Sequence, residues 1–118
     1  MISNLNGLSG VASTTPATES AAGMSLGIGQ TWQDVSGSRA VSTTYTNSTG
    51  RPIQVAVGVS LNNTGTFTNL VVGGINASRV QGTGSGLYTY ELRAIVPTGA
   101  SYSVSGGLPT LSTWRELR

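Results

Sequence analysis

The sequence predicts an all-β domain, an antiparallel sandwich or jelly-roll-like fold carrying an extended N-terminal arm. Three observations lead there. Apolar residues alternate with polar ones at a period of two in several runs after residue 30. Turn-forming Gly, Asn and Pro clusters interrupt those runs about every 8–12 residues. Neither a sustained helical pattern nor the long crossovers of a parallel sheet is present.

The first 28 residues form a separate region. Ser9 to Gly27 is mostly Gly, Ala, Ser and Thr with Pro16, which reads as a flexible or particle-anchoring arm. Ile2, Leu5, Leu8 and Val11 recur at helical spacing and offer a face for a neighbouring subunit. Met24, Leu26 and Ile28 alternate, as a short strand leading into the domain at 29–118 would. Arg39 to Thr46 is rich in β-branched and aromatic residues and reads as a strand. Asn47 to Pro52 is a turn, because Asn and Gly50 tolerate left-handed backbone and Pro52 suits the start of a strand.

Ile53, Val55, Val57 and Val59 alternate with Gln54, Ala56, Gly58 and Ser60, the clearest strand in the chain. Asn62 to Gly65 is a turn, and strands follow over residues 66–72 and, after Gly73-Gly74, 75–81. A loop at Gly82 to Gly86 precedes a long strand over 87–96. There Tyr88, Tyr90, Leu92, Ala94 and Val96 share one face, and Thr89, Glu91 and Arg93 the other. Pro97 to Gly99 ends it, and strands over 101–105 and 110–117 complete the set.

Composition narrows the function classes. The chain of 118 residues fits one domain with a modest core. Only 8% of residues are charged, the net charge is +2, and all six basic residues are arginines spread along the chain. That is far from the dense basic stripe of a nucleic-acid binder, so no nucleic-acid partner is expected. No apolar run reaches the ~18–20 residues of a membrane helix, so no membrane insertion is expected. No secretory signal is visible at the N-terminus. The sequons at Asn47, Asn62 and Asn76 therefore read as accidents of an Asn/Thr-rich sequence.

The missing residue types bear on catalysis. Without His or Cys there are no His-dependent triads, thiol nucleophiles or common transition-metal sites. Without Lys there is no P-loop or Schiff-base chemistry. Glu19, Asp34, Glu91 and Glu116 are the only carboxylates. Glu19 lies in the arm, while Glu91 beside Arg93 and Glu116 between Arg115 and Arg118 read as surface ion pairs. No catalytic residue, metal or cofactor is expected, and the chain is expected not to be an enzyme.

Binding asks less of the sequence. Exposed loops carry recognition, which makes Asn62, Asn63, Gly84 and Ser85 the candidates for receptor contact. With a single Phe in the chain, the large aromatics are needed for the core or a subunit interface. Trp32, Tyr45, Tyr102 and Trp114, with Arg39, Pro52 and Pro97, are the structural candidates.

Several of these stretches resemble bacteriophage tail-fibre C-terminal (tip) domains and related small tail proteins. The resemblance lies in Gly29-Gln30-Thr31-Trp32-Gln33-Asp34-Val35 with Arg39, in Thr44 to Asn47 through Gly50 to Ile53, in Ile95 to Gly99 with Tyr102 and Val104, and in Leu111 to Arg118. It covers residues 29–118. It implies a β-structured, commonly trimeric virion domain at or near a fibre tip that contributes to host-surface glycan recognition, with no catalytic residues. It also implies synthesis in a bacterial host cytoplasm and residence in the virion. Only the short arm precedes the matched stretch, whereas tail fibres carry a long shaft. The alternative expectation is a purely structural tail, baseplate or capsid-decorating protein whose partners are reached through residues 1–28.

Overall fold

A computed structural model describes residues 25–62, 65–83, 86–107 and 109–118. Over these the chain is all-β, with eight strands: β1 (Trp32–Asp34), β2 (Tyr45–Thr46), β3 (Ile53–Leu61), β4 (Phe67–Val72), β5 (Ile75–Gln81), β6 (Tyr88–Val96), β7 (Ser101–Ser105) and β8 (Thr110–Leu117). They form two antiparallel four-stranded sheets packed as a β-sandwich. The first has the order β1-β8-β3-β6 and the second β2-β7-β4-β5. Every connection between these strands passes from one sheet to the other except the β4–β5 hairpin. Gly73 and Gly74 make that hairpin's two-residue turn with φ of 59° and 83°, a backbone open mainly to glycine.

The core follows from the alternation in β3. Ile53, Val55, Val57 and Val59 point inward and meet Leu92 and Val96 of β6, Trp114 of β8, Leu70 of β4, and Tyr102 and Val104 of β7. Fully burying such side chains stabilises the fold by roughly 1.5–3 kcal/mol each. The expected arm-to-domain strand is absent from its described part. Residues 26–29 form a turn instead, with Gly27 and Gly29 at φ of 93° and 68° and the Gly27 amide donating to Gln30 Oε1 at 2.6 Å. The remainder of the predicted arm, residues 1–24, lies outside the described residues.

The strand expected over Arg39 to Thr46 shortens to the two residues of β2. A 3-10 turn at Ser36–Ser38 precedes it, and Ser42 takes a φ of 60° with its amide bonded to the Val104 carbonyl. The segment is spent on crossing between the sheets, so its β-branched content does not form a ladder.

Candidate functional site

Two polar constellations stand out, one inside the sandwich and one on its surface. The inner one centres on Glu116. Because β8 alternates, Trp114 and Glu116 both face inward, and the Glu116 side chain is 0% exposed. This corrects the expectation of a surface ion pair. Its Oε2 accepts from Arg39 Nε at 3.0 Å, Tyr102 Oη at 2.9 Å and Trp114 Nε1 at 3.1 Å. Its Oε1 accepts from Arg39 Nη2 at 3.2 Å and Arg118 Nη1 at 3.1 Å.

Tyr45, Tyr102 and Trp114 enclose this carboxylate, with ring centroids 5.7–6.4 Å apart, and the Arg39 guanidinium lies 4.6 Å from the Tyr45 ring centroid. Burial opposes the charge on Arg39, but its hydrogen bond and ion pair with Glu116 outweigh that and raise its pKa. Burial also raises the Tyr102 phenol, reinforced by the bond to Glu116. With two cations and two ring or hydroxyl donors around it, the carboxylate is saturated and structural.

A second buried polar residue, Asn47, closes one end of the sandwich. Its Nδ2 donates to the carbonyls of Arg51, Val96 and Pro97 at 2.8–3.2 Å, while Oδ1 accepts from the Thr49 amide and hydroxyl. This position is one of the sequons, and it is fully buried. Pro52 and Pro97 flank it. Pro52 offers its carbonyl to Gln30 Nε2, and the Pro97 carbonyl accepts from Asn47 and from the Ala100 amide.

The surface constellation is a shallow depression of about 310 Å³ on the outer face of the first sheet, lined by Trp32, Ala56, Glu91, Arg93 and Arg115. Register assembles it. Asp34 pairs with Arg115, Arg115 with Ala56, and Ala56 with Arg93, so these side chains form one row across four strands. Trp32 stands diagonally to Arg115 and is 50% exposed, outside the core. Ala56 gives the centre a low floor between longer neighbours, and Gly58 follows two residues along the same face of β3. At Gly58 a β carbon would come within 2.7 Å of Thr113 Oγ1, so even a methyl group there requires Thr113 to move. Arg93 Nη2 pairs with Glu91 Oε1 at 3.0 Å, the surface ion pair expected from sequence. Asp34 Oδ1 accepts from the Ser36 hydroxyl and amide, and those bonds, helped by the nearby Arg115 charge, hold its pKa low.

The loop candidates are placed elsewhere. Asn62 is exposed just past the end of β3, six residues or roughly 20 Å along the strand direction from Ala56. Asn63, Gly84 and Ser85 lie outside the described residues. Sequence reasoning missed the depression because it weighed Trp32 as core or subunit interface. The available signal was the row of small residues Ala56 and Gly58 on the polar face of the strongest strand. Among the described residues no group of three or more His, Cys, Asp or Glu is placed to hold a metal ion, and no helix is long and apolar enough to cross a membrane. Comparison of the chain with family models, curated proteins and solved structures gives no match.

Proposed function

We propose that the chain is a non-enzymatic recognition module of a phage virion, tail-fibre-tip-like, that contacts a host-surface glycan through the outer face of its first sheet. The observation that carries the glycan contact is the half-exposed Trp32 beside a small-residue floor and three charged side chains. An indole face offers a flat apolar platform for a sugar ring, and the guanidinium and carboxylate groups beside it donate to and accept from hydroxyls. A non-catalytic role is supported by the carboxylates: Glu116 is engaged by five donors, Asp34 by Ser36 and Glu91 by Arg93. Virion membership rests on the sequence resemblance. Its separated segments supply Arg39, Tyr45, Tyr102, Trp114 and Glu116 to one cluster, so they behave as the signature of a fold.

A homotrimer fits the same reading. β5 and β6 are long edge strands, and the surface of β4, β5 and β6 exposes Phe67, Ile75 and Tyr88, apolar area that a second copy would cover. The structural alternative is favoured by one feature: Arg51 Nη2 donates to the Ser25 and Ile28 carbonyls, tying the base of the N-terminal region to the domain.

The test is an array of bacterial surface polysaccharides probed with the full chain and with Trp32→Ala. The reading expects binding to a subset of polysaccharides and at least a tenfold loss in the variant, about 1.4 kcal/mol, with unchanged circular dichroism. Equal binding by both proteins would contradict the site. Absence of binding, with loss of particle assembly on deleting residues 1–28, would favour the structural alternative.

A further inference from the structure

Five of the six arginines donate hydrogen bonds from their side chains to protein acceptors: Arg39 and Arg118 to Glu116, Arg51 to backbone carbonyls, Arg79 to Asn69 and Arg93 to Glu91. The Arg115 side chain makes no hydrogen bond or ion pair among the described residues, although it lines the depression. Its cross-strand neighbour Asp34 feels its charge, yet Asp34 Oδ1 is turned to Ser36 and no ion pair between the two forms. Arg115 thus offers an unused guanidinium fork beside the exposed indole of Trp32.

Resting on the glycan reading above, we infer that this site selects an acidic sugar, a ring bearing a carboxylate, over its neutral counterpart. Trp32 and Arg115 are diagonal neighbours on adjacent strands, about 7–8 Å apart at the backbone, a spacing suited to a pyranose lying on the indole with its carboxylate at the guanidinium. The planar fork pairs with a carboxylate through two parallel hydrogen bonds. Arg93, facing Arg115 across Ala56, is held by Glu91, whose carboxylate can also accept from a ring hydroxyl. A neutral sugar in the same pose covers Arg115 without satisfying it, and that unpaired donor is the source of discrimination.

The experiment is calorimetric titration of the full chain with oligogalacturonate and its methyl ester, and with sialyllactose and lactose, repeated for Arg115→Gln and Trp32→Ala. At least one acidic member is expected to bind about tenfold or more tightly than its neutral partner, with affinity falling as salt rises. Arg115→Gln should bring the acid to the level of the neutral sugar, and Trp32→Ala should weaken both. Equal binding of acid and neutral sugar, both lost in Trp32→Ala, would overturn the anion selectivity and leave the glycan site standing. Selectivity that survives Arg115→Gln would also overturn the assignment. Binding of none of the four saccharides would count against the selectivity and the glycan site together.

Discussion

Glu116 brings a formal charge into the sandwich, where it is retained because five donors from three segments converge on its two oxygens. Removing one side of a buried ion pair leaves its partners desolvated and unpaired. Glu116→Gln therefore lowers unfolding free energy by about 3 kcal/mol, measured by urea denaturation, and a loss below about 1 kcal/mol would contradict the role. Asn47→Ala strands three carbonyls and costs about 1–3 kcal/mol in the same assay. Tyr102 supplies a pH signature. Its raised folded pKa means the unfolded chain releases the phenolic proton first, so stability is intact below the ordinary value of 10.0 and falls as pH rises from there through the folded value. Ultraviolet titration should show a late tyrosinate step that Tyr102→Phe removes.

At the scale of elements, β3 carries the most information, since its alternation sets the core on one side and the floor of the proposed recognition face on the other. The strands over residues 53–61, 75–81, 101–105 and 110–117 were legible because period-two patterning and Gly, Asn or Pro turns agreed there. The stretch from Arg39 to Thr46 was not, since propensity cannot distinguish a strand from a crossover between sheets. The role of Glu116 was also hidden: adjacent arginines in sequence suggest a surface pair, whereas the decisive partners Arg39 and Tyr102 are distant in the chain and meet only through the fold. The outward placement of Trp32 was not legible either, because only pairing with β8 sets it on the outer face.

Two turns give sharper tests. Gly107 has φ of 69°, and a β carbon there would run into the Phe67 carbonyl, so Gly107→Ala destabilises by at least about 1 kcal/mol. The Asp34 bonds to Ser36 contribute above the ordinary carboxylate value of 3.8 and are lost as pH falls through the lowered folded value. Melting curves taken down to about pH 2 should show a steeper acid-side decline for the native chain than for Asp34→Asn.

At the scale of the whole molecule, the two flanks of the sandwich differ in their edge strands. One flank of the sandwich ends in the short strands β1 and β2, of three and two residues, which offer little edge for pairing. The other flank ends in the longer β5 and β6, where Ser78 Oγ accepts from the Arg93 amide at 3.4 Å and ties the two sheet edges together. Self-association is expected on that flank, leaving the outer face of the first sheet for recognition. Native mass spectrometry at micromolar concentration should report a trimer, and a lone monomer would contradict it.

The proposed recognition face is tested most directly by the indole resonances of the two tryptophans, one on that face and one buried in the core. Titrating the isotope-labelled chain with a polysaccharide it binds should shift the Trp32 indole signal and the amides of Ala56 and Arg115, while the Trp114 indole stays fixed. Shifts confined to Asn62, Gly82 and Thr83, with Trp32 unmoved, would contradict the account and return recognition to the loops.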